Sequence, residues 1–365
     1  MAFDLSTLSS LLKADFSGSS AHGGVVGVDI GASAIKIVQL KEVKGVPTLD
    51  TYGELQLGPY ENIDFGRSTH LPSQKIIEAL IDILREAGAT AKSAAFAISY
   101  NASFTTLISV PTTEQERLGT MIPVEARKYI PVPLSKVTLD WFPLAVHAEQ
   151  QKTDVLLSAM YNDARKLYDD VMYGCGLKTV ANEIEIFSTM RSVLSPHDSV
   201  VAVIDFGAVS TRFYIVQNGI IVKTHSTVLS GVGVTTALAD ALQIPFTDAE
   251  KMKRSVGMRG KEEDPRIQKA IVGAVERGLR EIHTVIKRFE ESEHTTIEKI
   301  VITGSGALLN GLDAYMHDMF SHTIVIANPF AKVAYPAFLE DTLTQGGPVF
   351  SGAVGVALRA LQNGQ

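Results

Sequence analysis

Eight residues of this chain occur twice in nearly the same form. Asp29-Ile-Gly-Ala-Ser-Ala-Ile-Lys36 aligns without a gap on Asp205-Phe-Gly-Ala-Val-Ser-Thr-Arg212, with Asp, Gly, Ala and a basic residue at identical spacing. The copies lie 176 positions apart in a chain of 365 residues. A period of about half the chain is too long for a solenoid and points to two similar lobes facing one cleft. In each copy an apolar strand runs into an aspartate, turns on small residues and leaves as a second strand. Such a turn lets backbone N–H groups approach an anion closely. An aspartate at a strand end suits hydrated Mg²⁺, which takes one or two carboxylates and keeps several waters. Two such hairpins, with Lys36 as a point charge, can grip the β- and γ-phosphates of a nucleotide and share one Mg²⁺ through Asp29 and Asp205. A single copy would read only as an ordinary β-hairpin.

Along the chain, residues 1–24 read as an extension: Leu5, Leu8 and Leu12 have helical spacing, and SGSSAHGG is a flexible linker. Residues 25–92 read as the first lobe and 93–178 as an inserted block. Residues 179–199 return to the first lobe, 200–345 form the second, and 346–365 carry a terminal helix back to the first. In the insert, Thr113-x-x-Glu116 has the form of a capping box. Asn218-Gly219 predicts a tight hairpin turn. The apolar stripe of Ile267, Ile271, Val275, Leu279, Ile282, Ile286 and Phe289 predicts a long helix packed on a core.

Composition narrows the class. An apolar content of 45% is enough for a full core. The net charge of −7 argues against nucleic acid or an anionic membrane as the main partner. Cys175, the single cysteine, excludes an internal disulfide and a multi-cysteine zinc site. No apolar run reaches the ~18 residues of a spanning helix, because Asp205 and Arg212 break Val200–Val222. The start lacks a signal-peptide pattern. A reducing, cytoplasmic setting is expected.

Two further glycine segments fit the same cleft. Ser230-Gly231-Val-Gly233-Val-Thr235 precedes a helix, whose N–H groups are expected to face phosphate. Thr303-Gly304-Ser305-Gly306-Ala307 follows a strand and is expected to open a helix. As a dinucleotide fingerprint it fails, because Leu309 takes the third glycine position and no acidic residue follows at the required spacing.

Asp29–Lys36 resembles the first phosphate motif of the actin, heat-shock chaperone and sugar kinase superfamily, and Asp205–Ser210 resembles its second. VITGSGALLNGL, residues 301–312, is similar to its adenosine motif. Glu250 and Lys253 match its ribose- and adenine-contacting Glu-x-x-Lys. The resemblance implies an α/β, actin-like fold, a duplicated ribonuclease H-like architecture of two lobes, with ATP and Mg²⁺ as ligands. The expected nucleotide-binding residues are Asp29, Gly31, Ala32, Ser33, Lys36, Asp205, Gly207, Ser210, Gly231, Glu250, Lys253, Gly304, Ser305 and Gly306.

VEARKYIPVP at 124–133, Asp140, Asp154–Ala159, Cys175-Gly-Leu177 and Glu185-Ile-Phe-Ser188 resemble the type IV pilus assembly protein PilM family over nearly all of Val25 to Leu361. That resemblance implies a 1C subdomain of the type shared with the division protein FtsA. It also implies a peripheral place at the inner membrane, with the cytoplasmic N-terminal tail of a single-span PilN-like protein held between subdomains 1A and 1C. Glu185 falls where the superfamily orients an attacking water, although Ile186 stands where the family has proline. Binding of ATP is therefore better supported than its hydrolysis. Two alternatives remain: a small-molecule kinase, for which no acidic base has a clear context, and an FtsA-like filament former, for which the basic amphipathic tail is missing from ALRALQNGQ.

Overall fold

The computed structural model describes residues 24–259 and 264–363. The predicted helix at Leu5, Leu8 and Leu12 and most of its linker lie outside the described residues.

Two five-stranded sheets share one topology. In the first lobe, β1 (Val25–Ile30), β2 (Ala34–Val43), β3 (Val46–Gln56), β4 (Ser93–Ile98) and β8 (Lys178–Ile184) lie in the order β3-β2-β1-β4-β8. In the second lobe, β9 (Val200–Phe206), β10 (Thr211–Gln217), β11 (Ile220–Thr227), β12 (Lys299–Thr303) and β13 (Thr323–Ile326) lie in the order β11-β10-β9-β12-β13. The first three strands of each lobe form an antiparallel meander, and the last two join in parallel. The central strands read as unbroken apolar runs because both of their faces are covered. The meanders turn on matching pairs of positive φ, Lys44-Gly45 (54° and 78°) and Asn218-Gly219 (50° and 81°). Only the second pair was legible in the sequence, since lysine is not a usual first residue of such a turn.

The intervening elements complete the layers. In the first lobe these are α1 (Gly58–Glu61) and α2 (Ser73–Glu86). β5 (Ser103–Val110), β6 (Val137–His147) and β7 (Lys152–Tyr161) form the insert's own antiparallel sheet, ordered β5-β7-β6, with α3 (Gln115–Ala126) on it. α4 (Asn162–Gly174) closes the insert but presses Tyr168, Val171 and Met172 into the first-lobe core, where Tyr168 stacks on Phe96 at 5.1 Å. α5 (Glu185–Val193) follows β8. The second lobe carries α6 (Gly231–Leu242), α7 (Phe246–Val256), α8 (Pro265–Glu293) and α9 (Leu312–Met319). The α8 stripe is buried in the second-lobe core as its spacing predicts. α10 (Glu340–Gly346) and α11 (Ser351–Asn363) end the described chain.

Three sequence expectations need correction. β4 was expected to open the insert, but it pairs with β1 and β8 in the first sheet. Its residues Ala94–Ile98 are buried on both faces, which a small edge sheet cannot provide. The return to the first lobe was expected at 346 but occurs near 329. Phe330, Val333 and Leu343 pack with Leu40 and Leu49, and Leu49 N–H donates to Ala334 O at 2.8 Å. No linker-like composition marks that crossing. Finally, the capping box at Thr113 and Glu116 does not form. α3 starts one residue too late for it, and Thr112 Oγ1 accepts from Glu114 N–H instead.

The lobes share a core. One apolar cluster joins Val26 and Val28 of β1 to Val201 and Val203 of β9, with Phe187 and Met190 of α5 in the same cluster. α11 lies against β1 so closely that a Cβ at Gly27 would overlap Ala353 O. A Cβ at Gly355 would likewise overlap Ser188 O of α5. These contacts fix the ends of β1 and β9 across one cleft.

Candidate functional site

The strand ladders set the chemistry. Asp29 pairs across its hairpin with Lys36, and Asp205 pairs with Arg212. Each turn is closed in the same way: Gly31 N–H donates to Ala34 O at 3.0 Å, and Gly207 N–H to Ser210 O at 3.1 Å. The N–H groups of Ala32, Ser33, Ala208, Val209 and Ser210 find no acceptor among the described residues. All five residues line a polar cavity of about 120 Å³ between the lobes, together with Asp29, Lys36, Glu185, Asp205 and Arg212. A turn with unpaired amides at the lining of a cavity has the make-up of an anion-binding concavity.

The side chain of neither Asp29 nor Asp205 makes a hydrogen bond or ion pair among the described residues. Burial lifts the Asp29 carboxyl to about 6, against the opposing pull of Lys36. Burial, reinforced by Glu185, lifts Asp205 to about 7. Two half-buried carboxylates without side-chain partners, lining one cavity, suit an incoming cation. Glu185 stands at the first turn of α5, with Oε1 at 3.0 Å from Arg212 Nη1.

Gly304 and Gly306 bring the end of β12 against the hairpin. Gly304 takes φ +80°, and a Cβ on Gly306 would overlap the Phe206 ring. The expected helix after Gly306 is only a single 3₁₀ turn, Ser305–Leu308, and α9 begins later at Leu312.

A second, more apolar cavity of about 290 Å³ adjoins the first, sharing Ser33, Ala208, Ser305 and Val349. Phe206, Val232, Val234 and Leu309 line it, with Glu250, Lys253 and Arg254. Glu250 is 3% exposed and lies 2.7 Å from both Lys253 Nζ and Arg254 Nε. Burial opposes its charge, but the Lys253 ammonium prevails and holds the carboxyl below its usual range. Burial pushes the Lys253 ammonium down. The first-lobe loop 64–67 bridges this end of the cleft. Thr247 Oγ1 donates to Asp64 at 2.8 Å, Arg67 covers Phe246 at 4.1 Å, and Arg254 covers Phe65 at 4.6 Å.

Asp29, Gly31, Ala32, Ser33, Lys36, Glu185, Asp205, Gly207, Ser210, Gly304 and Ser305 thus line the first cavity, while Gly231, Glu250, Lys253 and Gly306 line the second. One expectation changes. The first N–H groups of α6 do not face phosphate: Gly231 and Val232 donate to Gly207 O and Ala208 O, and Gly233 donates to Ser230 Oγ. Helix α6 therefore braces the second hairpin. Sequence reasoning passed over Ser99, Asn101, Thr189, Arg212, Ser351 and Gly352, which also line the first cavity. Of these only Arg212 left a signal, as the basic residue of the second repeat.

The sequence profile of the type IV pilus assembly protein PilM family matches residues 27–361. This chain belongs to the PilM family. Among solved structures, the family's PilM–PilN type IV pilus biogenesis complex is similar at 26% identity, covering 93% of this chain and 98% of that chain with a TM-score of 0.77. The ethanolamine utilization protein EutJ from Carboxydothermus hydrogenoformans shares the fold at 16% identity, covering 91% of this chain and 88% of that one, TM-score 0.53. The cell division protein FtsA of Rhizobium meliloti (strain 1021) is 25% identical over 180 residues, 43% of this chain and 39% of that protein. The chain thus matches well under half of the FtsA relative's length. The fold of this PilM-family chain is actin-like, with two lobes of like topology and an inserted three-stranded sheet. No helix of the described residues is long and apolar enough to cross a membrane.

Proposed function

We propose that this PilM-family chain binds ATP with Mg²⁺ between its lobes and acts as a cytoplasmic component of the type IV pilus inner-membrane assembly complex. It holds the cytoplasmic N-terminal tail of a PilN-like membrane protein, and the nucleotide tunes that contact. The observation that carries the nucleotide reading is the pair of like hairpins, each placing unpaired amides and an aspartate without a side-chain partner at the lining of one cavity. That cavity runs into a second one suited to a nucleoside. Asp29 and Asp205 would hold Mg²⁺ through water. Bound Mg²⁺ would neutralise phosphate charge. Lys36 and the turn amides hold the phosphates, and the Glu250–Lys253 pair shapes the nucleoside end. Glu185 is the candidate for orienting water.

The tail reading is supported by the solved PilM–PilN complex and by an apolar cavity of about 240 Å³ where the insert meets the first lobe. Leu57, Leu71, Ile76, Leu167 and Val171 line it, and Gly31, Ala32 and Ser99 separate it from the phosphate cavity. A titration of ATP·Mg²⁺ against wild type and Asp29→Ala, with and without a peptide copying the PilN-like tail, tests both readings. Wild-type ATP binding lost in Asp29→Ala, with peptide affinity shifting on ATP addition, is the expected result. No ATP binding removes the nucleotide reading, and no peptide binding under any condition removes the tail reading.

A further inference from the structure

The likeness of the two hairpins breaks at their basic residues. Lys36 has no ion-pair partner among the described residues, whereas Arg212 engages two groups of the first lobe. Its Nη1 lies 3.0 Å from Glu185 Oε1, and its guanidinium covers the ring of Tyr100 at 5.2 Å. Tyr100 begins the 3₁₀ turn of residues 100–102 that leads from β4 into β5, the root of the insert. Arg212 therefore links the second lobe, the first lobe and the insert at one wall of the phosphate cavity.

This ion pair is poorly made. Both side chains are largely buried, at 12% and 16% exposure, yet Glu185 Oε1 and Arg212 Nε find no hydrogen bond. A buried pair with unsatisfied atoms is weakly held relative to its desolvation cost. A planar guanidinium fork matches a phosphate in bidentate fashion. Glu185, Asp29 and Asp205 also crowd three carboxylates around two cations in the cavity. A ligand that brings a terminal phosphate supplies Arg212 with a better partner.

We propose that Arg212 senses the terminal phosphate of a bound nucleoside triphosphate. It exchanges Glu185 for that phosphate and, in moving, leaves the Tyr100 ring at the root of the insert. A diphosphate does not reach it, so the guanidinium stays on Glu185 and Tyr100. The proposal rests on the nucleotide reading above and adds to it the residue that distinguishes the two nucleotide states. Ser99, next to Tyr100, lines both the phosphate cavity and the apolar cavity beneath the insert, so the exchange occurs at the wall between them.

The test is calorimetric titration of ATP·Mg²⁺ and ADP·Mg²⁺ into the full chain, as wild type, Arg212→Gln, Arg212→Lys and Glu185→Gln. Emission of Trp141, the chain's single tryptophan and a residue of the insert sheet, is the second readout. Wild type is expected to prefer ATP about tenfold or more. Arg212→Gln is expected to lose about 10- to 100-fold in ATP affinity and less than about threefold in ADP affinity, as one charge-assisted contact predicts. Arg212→Lys restores part of the preference. Glu185→Gln preserves or raises it, because the competing carboxylate is gone. Trp141 emission is expected to differ between ATP and ADP in wild type and not in Arg212→Gln. Equal loss of ATP and ADP binding in Arg212→Gln shows a merely structural role and overturns the proposal. Should the Arg212 variants not fold, a lowered ATP preference in Glu185→Gln overturns it. A wild type that binds both nucleotides equally overturns the proposal and leaves the nucleotide reading standing, whereas one that binds neither removes both.

Discussion

Asp29 and Asp205 destabilise the protein when both are charged, a cost that the Mg²⁺ proposed above would relieve. Burial raises their ionisation to about 6 and about 7, from 3.8. Between those values the folded state holds more protons than the unfolded state. Stability of the free protein therefore falls as pH rises from about 4 towards 7, then levels. Asp205→Asn removes the larger share of that penalty. Its expected effect is a gain on the order of 2–4 kcal/mol at pH 8 and little change at pH 4. Urea denaturation without divalent cations at both pH values checks this, and equal effects at the two would contradict the buried-charge account. The aspartates, the turn glycines and Lys36 were legible because the repeat shows each twice in the same spacing. Ser351 and Gly352 were not, because small residues in a terminal apolar helix carry no local mark of the cleft they reach.

At the scale of elements, α11 and α5 decide how rigidly the cleft is built. Glu183 of β8 is fully buried, hydrogen-bonded to Arg191 of α5 and to Arg359 of α11. The two guanidiniums prevail over the burial that would raise it, and its carboxyl stays below the usual range. Removing a partner from such a buried network leaves charge without compensation. Glu183→Gln is expected to cost about 3–5 kcal/mol, measured by chemical denaturation. Gly355 supplies a second test. In an exposed helix Gly→Ala stabilises by about 1 kcal/mol, but here the added Cβ meets Ser188 O of α5. Gly355→Ala should destabilise the fold by about 1–3 kcal/mol and weaken the proposed nucleotide binding, since α11 begins at the first cavity. A stabilised variant would mean that the helices are not in contact there. The long α8 was legible from its periodicity, whereas the place of β4 was not, since one apolar strand reads alike in either sheet.

For the whole molecule, the two cavities that meet at Gly31, Ala32 and Ser99 make one prediction about coupling. Leu71→Asp places a charge in the apolar cavity beneath the insert, 35 positions beyond Lys36 in sequence yet in a cavity that Gly31 and Ala32 of the first hairpin also line. It should abolish binding of a PilN-like tail peptide, read by fluorescence anisotropy, while ATP affinity changes by less than about threefold. Unaltered peptide binding would place the tail elsewhere. The loop 64–67 crosses from the first lobe to α7 through Asp64, Phe65 and Arg67, so opening of the second cavity at that end requires breaking those contacts.

The sequence alone determined the duplication, the chemistry of the turns and the family, because those depend on residue type at short, repeated spacing. Tertiary structure decided what lies far apart in the chain and close in space. It placed β4 in the first sheet, brought residues 329–343 back to it, and turned the α6 amides onto Gly207 and Ala208. It also set Arg212 between Glu185 and Tyr100. Each of these outcomes is a choice between partners of equal local appeal, and packing of the whole core makes that choice.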